Sequence, residues 1–205
     1  MLLIVDPAGQ IVPQVAPFSY VGNRGGRIHE NRKLTRRRWT SDSWLICVTN
    51  ALTDPDEFMG EKGVTDLFFL DEPTALAAGH RPCWRCNRDR YDAFLDAFRV
   101  ANERPTADYS EMDGILHGAR LDDAKKKRTW ATGLDELPDG VIVRLEPQGQ
   151  PHLIHAGGLY PWSSHGYGVR IPSPGGSVEV LTPEPTVKTM VQGYDVGPLR
   201  PLLAW

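Results

Sequence analysis

Two of the three cysteines in this chain have the spacing of a metal-binding pair. Cys83 and Cys86 are separated by two residues, and Cys47 is the only other thiol. Thiolates so spaced can share one ion, and Zn²⁺ takes four ligands in tetrahedral geometry. An odd cysteine count without a secretion signal disfavours a disulfide framework. The sequence therefore predicts that at least two of these thiols bind zinc, the alternative being unmetallated buried thiols.

The fourth zinc ligand must come from another residue type, because the chain has no fourth cysteine. His29 is the first candidate, since it lies in a basic segment shortly before Cys47. His80 is the alternative, since it stands three residues before Cys83. Imidazole nitrogen and carboxylate oxygen are both ordinary zinc ligands.

The cysteine pair needs an element that holds both sulfurs in place. The sequence predicts a helix from Pro82 or Cys83 to about Asn102, whose apolar face contains Tyr91 and Phe94. Free backbone N–H groups in a first helical turn, together with the helix dipole, favour thiolate over thiol. A strand over 44–48 is expected to carry Cys47.

The chain as a whole is predicted to be an α+β protein. Residues 1–105 form the zinc-binding half with its long helix, and residues 106–205 form a β-rich half. A single continuous domain remains the alternative. No apolar run approaches the roughly 20 residues that span a bilayer, and the N-terminus lacks the pattern of a signal peptide. These features predict a cytoplasmic protein without membrane association.

Positive charge is concentrated before Cys47, although the whole chain has a net charge of only -3. Segment 20–38 has seven cationic residues and one glutamate, whereas segment 51–72 has seven acidic residues and one lysine. Arginines gathered on one face can bind the phosphates of DNA or RNA, and internal pairing with the acidic segment is the alternative. The candidate nucleic-acid-binding residues are Arg24, Arg27, Arg36, Arg37, Arg38, Arg81 and Arg85.

The second half contains a segment rich in aromatic residues and glycine. Tyr160, Trp162 and His165 lie close together in it, and His165 follows two serines. They are candidates for an enzyme pocket, with His165 as a weak catalytic candidate, although no G-x-S-x-G motif is present. A protein-interaction module is the third functional class that the sequence leaves open.

The run from Phe68 to Cys86, FFLDEPTALAAGHRPCWRC, resembles the zinc-binding N-terminal domain of Ada-type DNA alkylation-repair proteins. The resemblance covers about residues 36–90, and the remainder is similar to an uncharacterised bacterial family. It implies zinc ligation by Cys83 and Cys86, with the Cys47 strand supplying further ligation. It also implies a role in DNA repair or regulation.

The resemblance breaks down around Cys47. Ada-type domains have two cysteines four positions apart there, one of which accepts a methyl group from a DNA methylphosphotriester. Here Ser43 and Ala51 occupy the positions four residues either side. Replacing a thiolate by neutral histidine makes the remaining sulfurs weaker nucleophiles. We therefore expect a mainly structural zinc, with methyl acceptance by Cys47 as an alternative.

Overall fold

The computed structural model describes residues 1–49, 60 and 63–197. Within these ranges the chain forms two large β-sheets and four α-helices, which confirms the predicted mixture of helices and strands. Residues 51–59, 61 and 62 of the acidic segment lie outside the described residues, so the pairing of this segment with the arginines stays a prediction.

The first sheet is built from the N-terminal half of the chain. Its strands are β1 (Leu2–Val5), β2 (Ile11–Gln14), β3 (Tyr20–Arg24), β6 (Trp44–Val48), β7 (Leu67–Phe69) and β8 (Arg81–Pro82). The spatial order is β2-β1-β7-β3-β6-β8, and the pairs β1–β7 and β6–β8 are parallel. A separate small hairpin contains β4 (His29–Glu30) and β5 (Lys33–Leu34).

Two helices flank the cysteine pair along the chain. Helix α1 (Glu72–Ala77) begins at Asp71, whose side chain accepts from the Thr74 amide, and the chain leaves it through Gly79 at φ 88°. Helix α2 (Arg88–Ala101) turns Tyr91, Phe94, Leu95 and Phe98 inward. The predicted apolar face is therefore correct, but the helix begins five residues after Cys83 rather than at it.

The second sheet is antiparallel and follows helix α3 (Tyr109–Arg120). Its strands are β9 (Trp130–Gly133), β10 (Ile142–Arg144), β11 (Pro151–His155), β12 (Gly158–Ser163), β13 (Gly166–Tyr167), β14 (Ile171–Pro172) and β15 (Ser177–Val180). The main order is β13-β12-β11-β10-β15-β9, with β14 also paired to β12. A 3₁₀ turn (Leu134–Glu136) follows β9, and helix α4 (Glu184–Val191) follows β15.

The two predicted halves share a hydrophobic core. One buried cluster includes Phe94 and Phe98 from α2 together with Val143 and Val187 from the second half. Buried Glu72 also joins the halves, because it accepts a 2.6 Å hydrogen bond from Tyr194 Oη and pairs with Arg90 at 2.6 Å. The region bearing the cysteines is thus packed against the second half of the chain.

Candidate metal centre

Cys47 and Cys83 are brought together by the pairing of two short parallel strands. In the β6–β8 register, Leu45 faces Arg81 and Ile46 faces Pro82. One further step along both strands places Cys83 beside Cys47, and the Cys83 amide donates to the Ile46 carbonyl at 2.9 Å. The sheet therefore fixes two thiols that are distant in sequence.

Cys86 joins them through a tight turn. Residues 84–86 form this turn between β8 and α2, and the Asn87 amide donates to the Cys83 carbonyl at 3.0 Å. The ligand atoms of Cys47, Cys83 and Cys86 all lie within 4.8 Å of one another. The three cysteines can therefore hold a metal ion. Their setting is a sheet edge and a turn, which corrects the prediction of a first helical turn.

The three thiols influence one another's protonation. The pKa of Cys83 is lowered to about 5, chiefly by a hydrogen bond with the Cys47 thiol and then by the Cys86 and Arg85 amides. The same hydrogen bond with Cys83, together with burial, raises the pKa of Cys47. Burial also raises the pKa of Cys86. The cluster thus loses its first thiol proton readily, and a bound cation would displace the remaining thiol protons.

The predicted fourth ligand His29 does not join the cysteines. Its Nδ1 is 2.6 Å from Thr65 Oγ1, and its Nε2 is 3.0 Å from the Gly60 carbonyl. Both ring nitrogens therefore have hydrogen-bond partners, and His29 connects the short β4–β5 hairpin to the segment that contains Gly60 and Thr65. The structure does not bring His29 to the cysteines, because the β4–β5 hairpin is separate from the first sheet, in which β3 and β8 lie beside the Cys47 strand.

The alternative ligand His80 is also elsewhere. Its ring is buried, lies 5.1 Å from the Trp44 ring centroid, and accepts from Arg24 Nε at 3.4 Å. Burial holds the pKa of His80 well below its usual value, so it is a neutral core histidine. The turn at Gly79 directs it into the core. Among the described histidines and acids, none joins the three cysteines in a close group.

A cavity of about 570 Å³ opens beside the cysteine cluster. Asn23, Asp66 and Arg85 line it together with the three cysteines. Burial raises the pKa of Asp66, and the neighbouring imidazole of His29 opposes that rise. Sequence reasoning missed Asp66, although an acid directly before the apolar strand β7 was a usable signal.

The predicted nucleic-acid-binding arginines divide into exposed and buried groups. The exposed ones are Arg27, Arg36, Arg37, Arg38 and Arg85. Arg81 is buried and donates twice to Asp113, at 2.9 and 2.7 Å, so its guanidinium is not available to a phosphate. Arg24 is also buried, and its carbon Cζ lies 4.0 Å from the Trp44 ring centroid.

The candidate residues of the second half have different surroundings. Tyr160 is buried in the second sheet's core, and the half-buried Trp162 donates from its indole to Thr74 Oγ1 at 3.0 Å. His165 is exposed in a turn, 3.2 Å from Ser164 Oγ. The first two side chains pack in the hydrophobic core, whereas His165 lies at the surface.

Comparisons with protein-family models, with curated proteins and with solved structures found no match to this chain. Among the helices that the structure describes, none combines the length and the apolar character needed to cross a bilayer. The functional conclusion therefore depends on the geometry of the cysteine cluster and on the charges around it.

Proposed function

We propose that this chain is a zinc-binding protein that associates with nucleic acid, and that zinc mainly stabilises its fold. The observation that carries the proposal is the convergence of three sulfur atoms within 4.8 Å. Two Zn–S bonds of about 2.3 Å at a tetrahedral angle would separate sulfurs by roughly 3.8 Å. The cluster is therefore near the required geometry, and thiolates are a donor set that suits zinc.

Zinc bound here would join two parts of the fold. Cys47 belongs to β6, whereas Cys83 and Cys86 belong to the turn that leads into α2. We place the fourth ligand on the cavity side, where Asp66 is the one carboxylate among the described lining residues. A carboxylate oxygen or a water held by it would complete the tetrahedron.

Basic and aromatic groups near the cysteine turn support nucleic-acid association. Arg85 lines the cavity beside the cysteines, and Trp84, which is 53% exposed, stands in the same turn. Arg36 and Arg37 are exposed just after the β4–β5 hairpin. Exposed arginines can bind phosphates, and an exposed indole can stack on an unpaired base. The resemblance to Ada-type domains points in the same direction.

Replacing Arg36 and Arg37 by glutamine is expected to weaken binding to single-stranded DNA and to reduce its salt dependence. Each lost phosphate contact lowers the slope of log K against log salt by about 0.7 on single strands. The measurement is fluorescence anisotropy with a labelled oligonucleotide at several salt concentrations. Arg38 is left in place because its guanidinium donates to the Thr35 carbonyl.

The matched control is the double variant Arg104→Gln with Lys188→Gln, which removes two exposed charges elsewhere. Arg104 lies shortly after α2, and Lys188 lies on α4. This control should bind like the parent protein. Equal weakening by both double variants would show a general charge effect, and absence of salt-sensitive binding would refute nucleic-acid association.

A second candidate function is methyl acceptance by Cys47, which the cavity favours because it exposes this sulfur beside Arg85. The Cys47 thiolate would form a bond to the methyl carbon while the carbon–oxygen bond of a phosphotriester breaks, releasing a phosphodiester anion. Mass spectrometry after incubation with methylphosphotriester DNA should then find one methyl group on Cys47. An unmodified Cys47, with intact DNA, would exclude this reaction.

A further inference from the structure

A second cavity, of about 890 Å³, lies where the ends of α1 and α3 meet the two sheets. Its lining includes Arg24 from β3, Arg120 from α3 and Arg144 from β10. None of the cysteines lines it, so it is distinct from the candidate metal centre.

The lining of this cavity is strongly cationic. Seven lining residues are cationic and one is a carboxylate; the cations are Arg24, Arg38, Arg120, Lys125, Lys126, Lys127 and Arg144. The carboxylate, Glu179, is already used, because it pairs with Arg144 at 3.3 Å and accepts from Thr129 Oγ1 at 2.9 Å. Most of the positive charge thus has no carboxylate in contact with it.

Two buried guanidinium groups share one aromatic ring in this cavity. The Cζ atoms of Arg24 and Arg120 lie 4.0 and 4.1 Å from the Trp44 ring centroid. Gly79 makes the approach of Arg120 possible, because a Cβ atom there would lie 2.7 Å from the Arg120 side chain. Stacking on tryptophan favours each cation, and Asp6 and Asp113 offset part of their mutual repulsion from beyond ion-pair distance.

The hydrogen bonds of buried Arg24 and Arg120 and of half-buried Lys127 go to neutral acceptors. Arg24 donates to the Gly9 carbonyl at 2.8 Å, Arg120 to the Gly79 carbonyl at 2.6 Å, and Lys127 to the Ala77 carbonyl. Arg120 is 1% exposed, and among the described residues its Nε has no hydrogen-bond partner. Trp44 Nε1 and Arg144 Nε, which also belong to lining residues, are likewise buried without a described partner, so the lining has three unpaired donors.

Confinement of these like charges is costly to the folded protein. Burial, followed by repulsion from Arg120 and Arg24, lowers the pKa of Lys127 to about 7. Burial likewise lowers the pKa values of Arg24 and Arg120 to about 9. Removing a cation from water is costly when no carboxylate contacts it, and such perturbed groups cluster at functional sites.

We propose that this cavity binds the phosphate group of a ligand of about nucleotide size. Arginine forks and a lysine ammonium are the groups that match a multiply charged phosphate. The volume is too large for one phosphate ion and lies in the range of about 300–1,000 Å³ typical of small-molecule sites. Trp39, which also lines the cavity, offers a ring for stacking. The inference does not rest on the proposed zinc or nucleic-acid function.

The test is isothermal titration calorimetry of the full chain with pyrophosphate and with ATP. The parent protein should bind at least one of them, and Lys127→Met should bind at least about tenfold more weakly, since a charged hydrogen bond is lost. Because the variant removes a half-buried cation beside two buried arginines, its unfolding temperature should be unchanged or higher. Lys188→Met, on exposed α4 surface, is the matched control and should bind normally.

A second variant keeps the proposal testable if Lys127→Met does not fold. Lys125→Gln with Lys126→Gln changes only exposed side chains of the cavity lining and should weaken binding about threefold or more. No binding of either probe, or equal affinity of Lys127→Met and the parent protein, would overturn a small-molecule phosphate site.

The end of a nucleic-acid strand also carries a phosphate group. A further experiment therefore distinguishes a strand end from a small molecule as the ligand. An oligonucleotide with a 5′-phosphate is compared with the same oligonucleotide bearing a 5′-hydroxyl. A preference for the phosphate that Lys127→Met abolishes, and that Arg36→Gln with Arg37→Gln retains, would assign the cavity to strand ends. Absence of any phosphate preference, together with no binding of pyrophosphate or ATP, would refute the proposal.

Discussion

Removing zinc with a chelator is expected to lower the unfolding temperature of this protein by about 10 °C. An ion that binds only the folded chain stabilises it by about 3–4 kcal/mol when its free concentration is 100–1,000 times the dissociation constant. For a chain of this length, 1 kcal/mol corresponds to roughly 2–4 °C. The reason is structural, because the ion would connect β6 to the turn before α2. Differential scanning calorimetry measures the shift.

Cys86→Ser provides the matching variant. Cys86 is half-buried, so the substitution changes packing less than a substitution at buried Cys83. We expect the variant to unfold at the temperature of the chelated parent protein and to respond no further to chelator. An unfolding temperature equal to that of the zinc-loaded parent would contradict a stabilising role for the three-cysteine cluster.

The second large effect is expected from Asp113→Asn, with a loss of about 3–5 kcal/mol in the free energy of unfolding. Asp113 and Arg81 form a bidentate ion pair with side chains 4% and 1% exposed. Asparagine would leave the Arg81 guanidinium buried without a counter-charge. Since Arg81 lies two residues before Cys83, the variant should also bind zinc more weakly. Urea unfolding and zinc titration measure the two effects.

Asp92→Asn is the matched control for this substitution. Asp92 pairs with Arg88 on the exposed face of α2, where both side chains are largely in water. Its replacement should change stability little, because exposed pairs contribute little. Replacing both buried partners, Arg81→Met with Asp113→Leu, should recover much of the loss. A harmless Asp113→Asn would show that the buried pair is not important to the fold.

Local signals in the sequence predicted several elements of this fold correctly. Pro73 and Gly79 mark the ends of α1, because proline fixes φ in the first turn and glycine readily adopts the positive φ at which the chain leaves the helix. The spacing of Phe94 and Phe98 identifies the buried face of α2 for a similar reason, since helical periodicity is local. The Cys83–Cys86 spacing likewise predicted the candidate metal site.

Features that depend on distant pairing could not be predicted in this way. The two-residue strand β8 pairs with β6 across more than thirty positions, and no periodic pattern marks so short an element. That pairing places Cys83 beside Cys47 at the sheet edge, ahead of α2. Arg24 is buried against Trp44 together with Arg120 of α3, a contact between distant elements that its position in a basic segment does not indicate.

The claim that Cys47, Cys83 and Cys86 hold one zinc ion is tested most directly by X-ray absorption at the zinc edge of the loaded protein. We predict one zinc per chain with three sulfur neighbours at about 2.3 Å and one oxygen or nitrogen neighbour at about 2.0 Å. Cys86→Ser should lose one of the three sulfur neighbours or lose the zinc. A zinc surrounded only by oxygen and nitrogen, or failure to bind stoichiometric zinc, would contradict the claim.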